Sequence, residues 1–316
     1  MRGNYRLTTD TGKPLTSNFR AWLEILRVPN LFTVPGDPIV GFLLASVGQP
    51  DVDLARVIWP ALAALFLYCA GLVSNDVFDL DEDRRDRPER PIPSGRISKR
   101  APVIAALSLF VLGIASAFLA ETRTGWLACA LTLLILLYNG GLKRITLVGP
   151  LTMGLCRGFS LLLGASVFAT GLTTPVVLVA AGGLTLYILS VTLIAARETS
   201  GRGPGNLAFL PVIELICLFP ACWFASMPWE SERVGGLYFS LGCLTVIFTF
   251  FIARNLRTQT HPKQVSNGIG RLLLMLIPLQ GSLAAMTEQL QPVIVLSVLV
   301  ALFICAERLG RRFYAS

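Results

Sequence analysis

Residues 75–96 read NDVFDLDEDRRDRPERPIPSGR and follow a run of about twenty almost uncharged residues. On a helix Asn75, Asp79 and Asp83 lie at i, i+4 and i+8. Each step drifts about 40° around the axis, so the three share one face over two turns. Asp76 flanks the same stripe, whereas Asp81 and Glu82 turn away. Hard oxygen ligands grouped in this way suit Mg2+, which takes one or two carboxylates and completes its shell with water and phosphate oxygens. Asn75, Asp76, Asp79 and Asp83 are therefore the expected metal ligands. Arg84, Arg85, Arg87, Arg90 and Arg96 follow, and guanidinium groups clamp phosphates through paired, charge-assisted hydrogen bonds. Pro88, Pro91 and Pro93 stiffen this loop, and Gly95 permits a tight turn. The same charges would also serve a loop that is merely kept wet. Against that plainer reading, the stripe begins with an Asn and an Asp at the edge of an apolar run, where charge is expensive.

The elements that must hold these groups are apolar helices. The 316 residues are 53% hydrophobic and 15% charged, with a mean hydropathy of +0.65, whereas soluble domains carry about 25% charged residues. Apolar runs recur near 19–48, 56–78, 101–120, 124–140, 146–169, 173–196, 206–228, 235–253, 270–287 and 291–307. A membrane-crossing helix needs roughly 20 such residues. The expected fold is all-α, a polytopic membrane bundle of nine to ten transmembrane helices with no strands. Residues 1–18 form a polar cytoplasmic tail, 19–307 the membrane domain and 308–316 a basic cytoplasmic tail. The first run is too long for a signal-peptide core, so no cleaved leader is expected.

Orientation follows from the basic residues, which concentrate in cytoplasmic loops. With ten spans and the N-terminus inside, 23 of the 27 Lys and Arg fall inside and only Arg56, Arg123 and Arg233 outside. The charged loop at 84–100 is then cytoplasmic. The formal net charge of +8 reports topology and attraction to anionic lipid, and no aromatic-interleaved basic patch for nucleic acid is present. The seven cysteines sit in apolar runs without metal or disulfide spacing. The lone His261 lies in a cytoplasmic loop.

Asp37, Arg157 and Glu214 lie deeper inside apolar runs, where ionisable groups face a cavity or one another. Arg157 can pair with either acid, as a bridge across the bundle. Asp37 sits in Pro35-Gly36-Asp37-Pro38, a broken helical stretch able to line a cavity. Tyr138 and Lys143, at the cytoplasmic end of the fourth run, are candidate phosphate contacts.

Asn75-Asp76-x-x-Asp79-x-x-x-Asp83 followed by Arg90-Pro-Ile-Pro-Ser-Gly-Arg96 resembles the first signature of the UbiA superfamily of intramembrane prenyltransferases. Arg27-Val28-Pro29-Asn30 is similar to the family's first-span pattern, and Tyr138-Asn139-x-x-Leu142-Lys143 to the close of its fourth span. Cys156-Arg157-Gly158 is similar to its fifth, with Ser160 where an Asn is often found. The resemblance covers roughly residues 20–290. It implies a bundle around a central cavity opening sideways to lipid. It further implies an isoprenoid diphosphate donor held through Mg2+, its ionisation to an allylic cation, and prenyl transfer to a small acceptor. On this basis Asp76, Asp79, Asp83 and Arg157 are expected to be catalytic. Arg27, Asn30, Asp37, Asn75, Arg90, Arg96, Tyr138 and Lys143 are expected to bind substrate.

The family's second acidic signature is absent. The sixth run ends Arg197-Glu198-Thr-Ser-Gly201, a break resembling that of the EboC-type branch. In one reading Glu198 still supplies a metal ligand and Arg197 takes over part of a second metal's charge, which makes both candidate catalytic residues. In another the chain only binds or transports a prenyl lipid, and in a third the two charges merely fix topology. A phosphotransferase of the CDP-alcohol type would need an Asp-Gly, Ala-Arg and two further aspartates in order, and that order does not occur.

Overall fold

The computed structural model describes residues 17–198, 203–227 and 235–287, with isolated positions between 294 and 308. Nearly all of the tail 1–18, the end of the chain beyond 308 and most of the run 291–307 lie outside the described residues. Among those described there are helices and no strands.

The first apolar run is not one helix. An amphipathic α1 (Ser17–Ile25) ends where Arg27 takes a left-handed backbone at φ 45°, ψ 54°. A single turn, α2 (Val28–Leu31), follows with Pro29 in its first turn, and then α3 (Gly36–Ser46). Prolines lack the N–H that would continue a helical ladder, so Pro29 and Pro35, at the starts of α2 and α3, break the span that hydropathy alone reads as continuous. α1 sits outside the spanning part. Its buried Ala21 and Ile25 pack with Ile92 and Ile97 of the charged loop and with Val73.

After a short 3-10 turn come α4 (Ile58–Phe78) and α5 (Leu80–Asp86), then α6 (Arg100–Ala120) and α7 (Thr122–Gly140). α8 (Val148–Ala165), α9 (Pro175–Glu198), α10 (Leu210–Ser226) and α11 (Gly236–Arg257) complete the long helices, and α12 (Pro262–Leu274) leads through Met275 into α13 (Leu276–Ala285). Eight described segments are long and apolar enough to cross a membrane. α7 is as long as its neighbours, but Arg123 and Asn139 near its ends dilute it. α4 packs chiefly on α6, α8 on α9 and on α3, and α10 on α9. Large apolar side chains such as Leu107, Val111, Trp126, Leu133 and Phe224 point outward, each more than half exposed. Lipid covers such a surface, and the chain is an integral, multi-pass membrane protein.

In lipid the helices gain little from apolar burial against one another, so close packing of small residues carries the association. A Cβ on Gly164 would sit 1.8 Å from the Pro38 carbonyl oxygen, and one on Gly41 1.9 Å from that of Leu161. α3 and α8 thus touch backbone to backbone, which holds Thr33 and Asp37 beside Arg157. Gly164→Ala should force these helices apart at a cost of about 1–3 kcal/mol. Gly182→Ala is the control, because nothing lies within 4 Å of that position and a helical Gly-to-Ala change stabilises by roughly 0.5–1 kcal/mol. Thermal unfolding midpoints in detergent should fall for the first and hold or rise for the second. Equal midpoints would refute the close-contact account.

Candidate functional site

The acidic stripe crosses a bend. α4 ends at Phe78, Asp79 sits at φ −88°, ψ 2°, and α5 begins at Leu80. Two hydrogen bonds carry the four-residue spacing across it, Asp79 N to Asn75 O at 3.0 Å and Asp83 N to Asp79 O at 2.8 Å. The register expected for a continuous helix therefore survives, but the grouping differs. Asp76 and Asp83 are seven residues apart, within about 20° of one another around a helix axis, and they share one partner. Arg90 Nη1 lies 2.7 Å from Asp83 Oδ2 and 3.8 Å from Asp76 Oδ1. Asn75 and Asp79 form the second pair. Asn75 Nδ2 donates to Asp79 Oδ2 at 3.1 Å, while Lys143 Nζ donates to Asn75 Oδ1 at 3.0 Å and forms an ion pair with Asp79 Oδ1. Lys143 closes one pair and Arg90 the other, with the Arg27 charge also acting on Asp76. Among the described residues no three His, Cys, Asp or Glu side chains converge as a metal cage.

The other loop arginines have separate tasks. Arg96 bonds Glu24 of α1 at 2.8 Å and the Glu89 carbonyl at 2.9 Å, which fixes the loop to the rest of the protein. Arg84 pairs with Asp81 at 2.7 Å on the exposed side of α5. Gly95 takes φ 77°, as the tight turn requires.

Behind Asn75 and Asp79 lies a cavity of about 330 Å³. Arg27, Asn75, Asp79, Tyr138, Asn139 and Lys143 line its polar end, at the C-terminal ends of α4 and α7. Val34, Ala64, Leu67, Leu131 and Ile135 line its apolar walls. Along α4 alone, Ala64 to Asp79 spans about 22 Å. The shape therefore fits an amphiphile with an anionic head and a hydrocarbon tail. Asp76, Asp83, Arg90, Arg96, Asn30 and Asp37 are not among its lining residues. Asn30 lies in α2, a turn away from Arg27.

Arg157 and Ser160 of α8 line the same cavity from another side. The sequence leaves Arg157 two possible acids, and the structure gives it Asp37. Arg157 Nε is 2.9 Å from Asp37 Oδ2, and Arg157 Nη2 donates to the Thr33 carbonyl at 3.0 Å. Gln280 Nε2 of α13 donates to Asp37 Oδ1 at 2.6 Å and to the same carbonyl at 2.8 Å. Asp37 is 1% exposed, so it braces Arg157 from behind. Glu214 is elsewhere, its carboxyl oxygens buried with no hydrogen-bond partner among the described residues. Arg197 is exposed in the last turn of α9 and does not line the cavity. The side chain of Glu198 and all of Thr199, Ser200 and Gly201 lie outside the described residues.

A second, almost wholly apolar cavity of about 650 Å³ lies between α2, α3 and α13, with Gln280 on its wall. Gln280 thus meets one cavity and Arg157 the other, with Asp37 between them. Sequence reasoning missed Gln280, although a glutamine amid Leu276–Ala285 is a polar group in an apolar run. It named Asn139 within a motif but gave it no role; the residue is 4% exposed and donates to Ser74 Oγ at 2.9 Å and to the Gly71 carbonyl at 3.1 Å. Those bonds clamp α7 to α4 at the polar end of the cavity.

A sequence profile of the UbiA prenyltransferase family matches residues 38–267, and the chain belongs to that family. Among curated proteins it resembles the digeranylgeranylglyceryl phosphate synthases of Methanococcoides burtonii, at 32% identity over 50% of this chain and 59% of the relative, and of Methanosarcina mazei, at 31% identity over 58% and 65%. In each case the match spans less than two thirds of the curated relative. Among solved structures, the apo UbiA homolog from Aeropyrum pernix K1 superposes with a TM-score of 0.64 at 19% identity, covering 80% of this chain and 96% of that one. A UbiA homolog from Archaeoglobus fulgidus bound to GPP and Mg2+ gives 0.55 at 16% identity, covering 85% and 99%. These likenesses confirm the helical membrane fold.

The buried bridge yields a stability test. Arg157→Met strands the Asp37 carboxylate and should cost about 3–5 kcal/mol, whereas removing both charges of a buried pair is often near neutral. Arg157→Met combined with Asp37→Asn should therefore recover most of the detergent melting midpoint, since the amide introduced by the second change keeps an acceptor for Gln280. A double variant no more stable than the single would show that the pair is not what holds these helices together.

Proposed function

We propose that the protein transfers a prenyl group from an isoprenoid diphosphate to a small acceptor within the membrane, with Mg2+ as cofactor. The observation that carries this reading is the cavity with one charged end and apolar walls. The carboxylates are cationically closed pairs, not a finished cage, and this fits Mg2+, which takes few protein ligands and relies on substrate phosphates for the rest. Asn75 and Asp79, which line the cavity, would hold it, with Asp76 and Asp83 behind them on Arg90. When bound, the metal supplies Lewis-acid neutralisation of the leaving diphosphate.

The chain's own residues do the remaining work. Lys143 and Arg27 lie at the charged end of the cavity and stabilise the negative charge that grows as the allylic carbon–oxygen bond breaks. Arg90 holds the Asp76/Asp83 pair in place. The walls from Val34 to Ile135 keep the hydrocarbon extended and exclude water, which would otherwise capture the cation. Tyr138 faces the headgroup end, and Arg157, braced by Asp37, orients the acceptor from the α8 side. The prenyl group's electrophilic carbon then forms its new bond to the acceptor, and the acceptor's proton leaves to solvent or diphosphate. The named relatives make a digeranylgeranylglyceryl phosphate, so a prenylated glyceryl phosphate is the first acceptor to try. The segregation of Lys and Arg supports a site on the cytoplasmic face.

The replacement of the second acidic signature by Arg197 and Glu198 favours a second reading, a protein that binds or moves a prenyl lipid without reacting it. Both readings meet one experiment. Purified protein in lipid is given radiolabelled prenyl diphosphates of several lengths, with Mg2+ and acceptor. Mg2+-dependent pyrophosphate release and a prenylated product are expected, with Asp79→Ala reducing both at least about 100-fold, a loss typical when a group stabilising transition-state charge is removed. A several-fold loss in Arg197→Ala would show that this arginine serves the reaction. Binding of the diphosphate without turnover, across aromatic, quinone-type and glyceryl acceptors, would replace the enzyme reading with the carrier.

A further inference from the structure

Both oxygens of Asp79 are already engaged, one by the Asn75 amide and the other by the Lys143 ammonium, which also takes the Asn75 amide oxygen at 3.0 Å. Lys143 therefore stands where hard oxygen donors converge at the head of the cavity. Its side chain is 14% exposed and that of Asp79 17%, so water does little of the neutralising. The lysine is not a wandering surface group. It sits in the 3-10 turn Leu142–Arg144, and a Cβ on Gly149 of α8 would come within 2.8 Å of the Lys143 carbonyl oxygen, so α8 packs directly on that backbone.

A bare divalent ion approaching Asn75 and Asp79 would have to evict this ammonium, and Mg2+ also gives up its water reluctantly. A diphosphate changes the balance, because it offers the ammonium a new anionic partner while bringing phosphate oxygens to the metal. We propose that Lys143 is an exchangeable counter-ion. In the donor-free protein it neutralises Asp79. When metal and diphosphate arrive together it transfers to the phosphate and releases the carboxylate to the metal. Metal and diphosphate then bind with positive coupling, and by linkage each raises the affinity for the other by the same factor. The inference rests on the reading that the cavity takes a metal-bound diphosphate. It differs from a simple phosphate contact in one respect: removal of the lysine should strengthen binding of the metal alone.

The test is equilibrium dialysis of Mn2+, an EPR-visible stand-in for Mg2+, against the detergent-purified full chain, with and without inorganic pyrophosphate. In the wild type, pyrophosphate should raise the Mn2+ retained by protein, with an apparent affinity gain of at least about tenfold, equivalent to a coupling within the usual range. Lys143→Met should raise the pyrophosphate-free Mn2+ affinity severalfold and shrink the coupling. Lys143→Arg, which keeps the charge, should behave as wild type in both measurements. Unchanged or weaker pyrophosphate-free binding in a folded Lys143→Met protein would overturn the exchange while leaving the prenyltransferase reading intact. If Lys143→Met does not fold, coupling absent from wild type and Lys143→Arg alike would overturn it. Failure of the wild type to retain Mn2+ even with pyrophosphate would instead remove the metal–diphosphate reading on which the exchange stands.

Discussion

The ion pair between Arg157 and Asp37 ties together the elements behind the cavity. A guanidinium in the interior of a membrane bundle is tolerable only when its charge is matched and its donors are used. Asp37 matches the charge, and Gln280 and the Thr33 carbonyl complete the arrangement. These partners come from three separated parts of the chain: the turn before α3 together with α3 itself, then α8, then α13. One polar knot therefore decides how the first, middle and last parts of the described bundle meet, and it does so where lipid-like surroundings give apolar contact little directional force. The glycine contacts between α3 and α8 are subordinate to the same end, since they bring the two helices close enough for the short Asp37 side chain to reach.

The cavity repeats this logic at its mouth. Charged groups are again present in matched sets, Lys143 with Asp79 and Arg90 with Asp83 and Asp76, and an otherwise costly cluster becomes a stable part of the fold. The pairs differ in their surroundings. Asn75, Asp79 and Lys143 line the cavity, while Asp76, Asp83 and Arg90 do not. The acidic stripe thus has an inner side that faces the cavity and an outer side that anchors the Pro-rich loop.

Much of this was legible in the sequence, and the rest was hidden for definite reasons. Hydropathy gives the spans because each must be apolar over roughly 20 residues, and the spacing of Asn75, Asp79 and Asp83 gives the stripe because helical geometry is local. Pairing is not local. Nothing in the order of residues says that Arg157 takes Asp37 in preference to Glu214, since that depends on which helices are neighbours. Hydropathy also blurred the first run. It averages over Arg27, Pro29 and Pro35, whereas the backbone responds to each one, so a single expected span became α1, α2 and α3. At Asp79 the spacing was right and the grouping was not, because carboxylates arrange themselves around the cations that reach them. Lys143 reaches one pair from the turn after α7, and Arg90 the other from the loop. Gln280 went unread and Asn139 was given no role because amides carry no charge to draw the eye, yet each donates two hydrogen bonds in the interior.

The tie between Arg96, Glu24 and the Glu89 carbonyl has a consequence for affinity. A charged, proline-rich loop left loose would have to be ordered each time a headgroup arrived, and that entropy would be subtracted from binding. Here the loop is moored to α1 at one end and packed through Ile92 and Ile97 into an apolar cluster. The ordering is met once, when the chain folds. A ligand arriving at this end of the cavity therefore meets a frame already in place, and no folding event is coupled to the encounter.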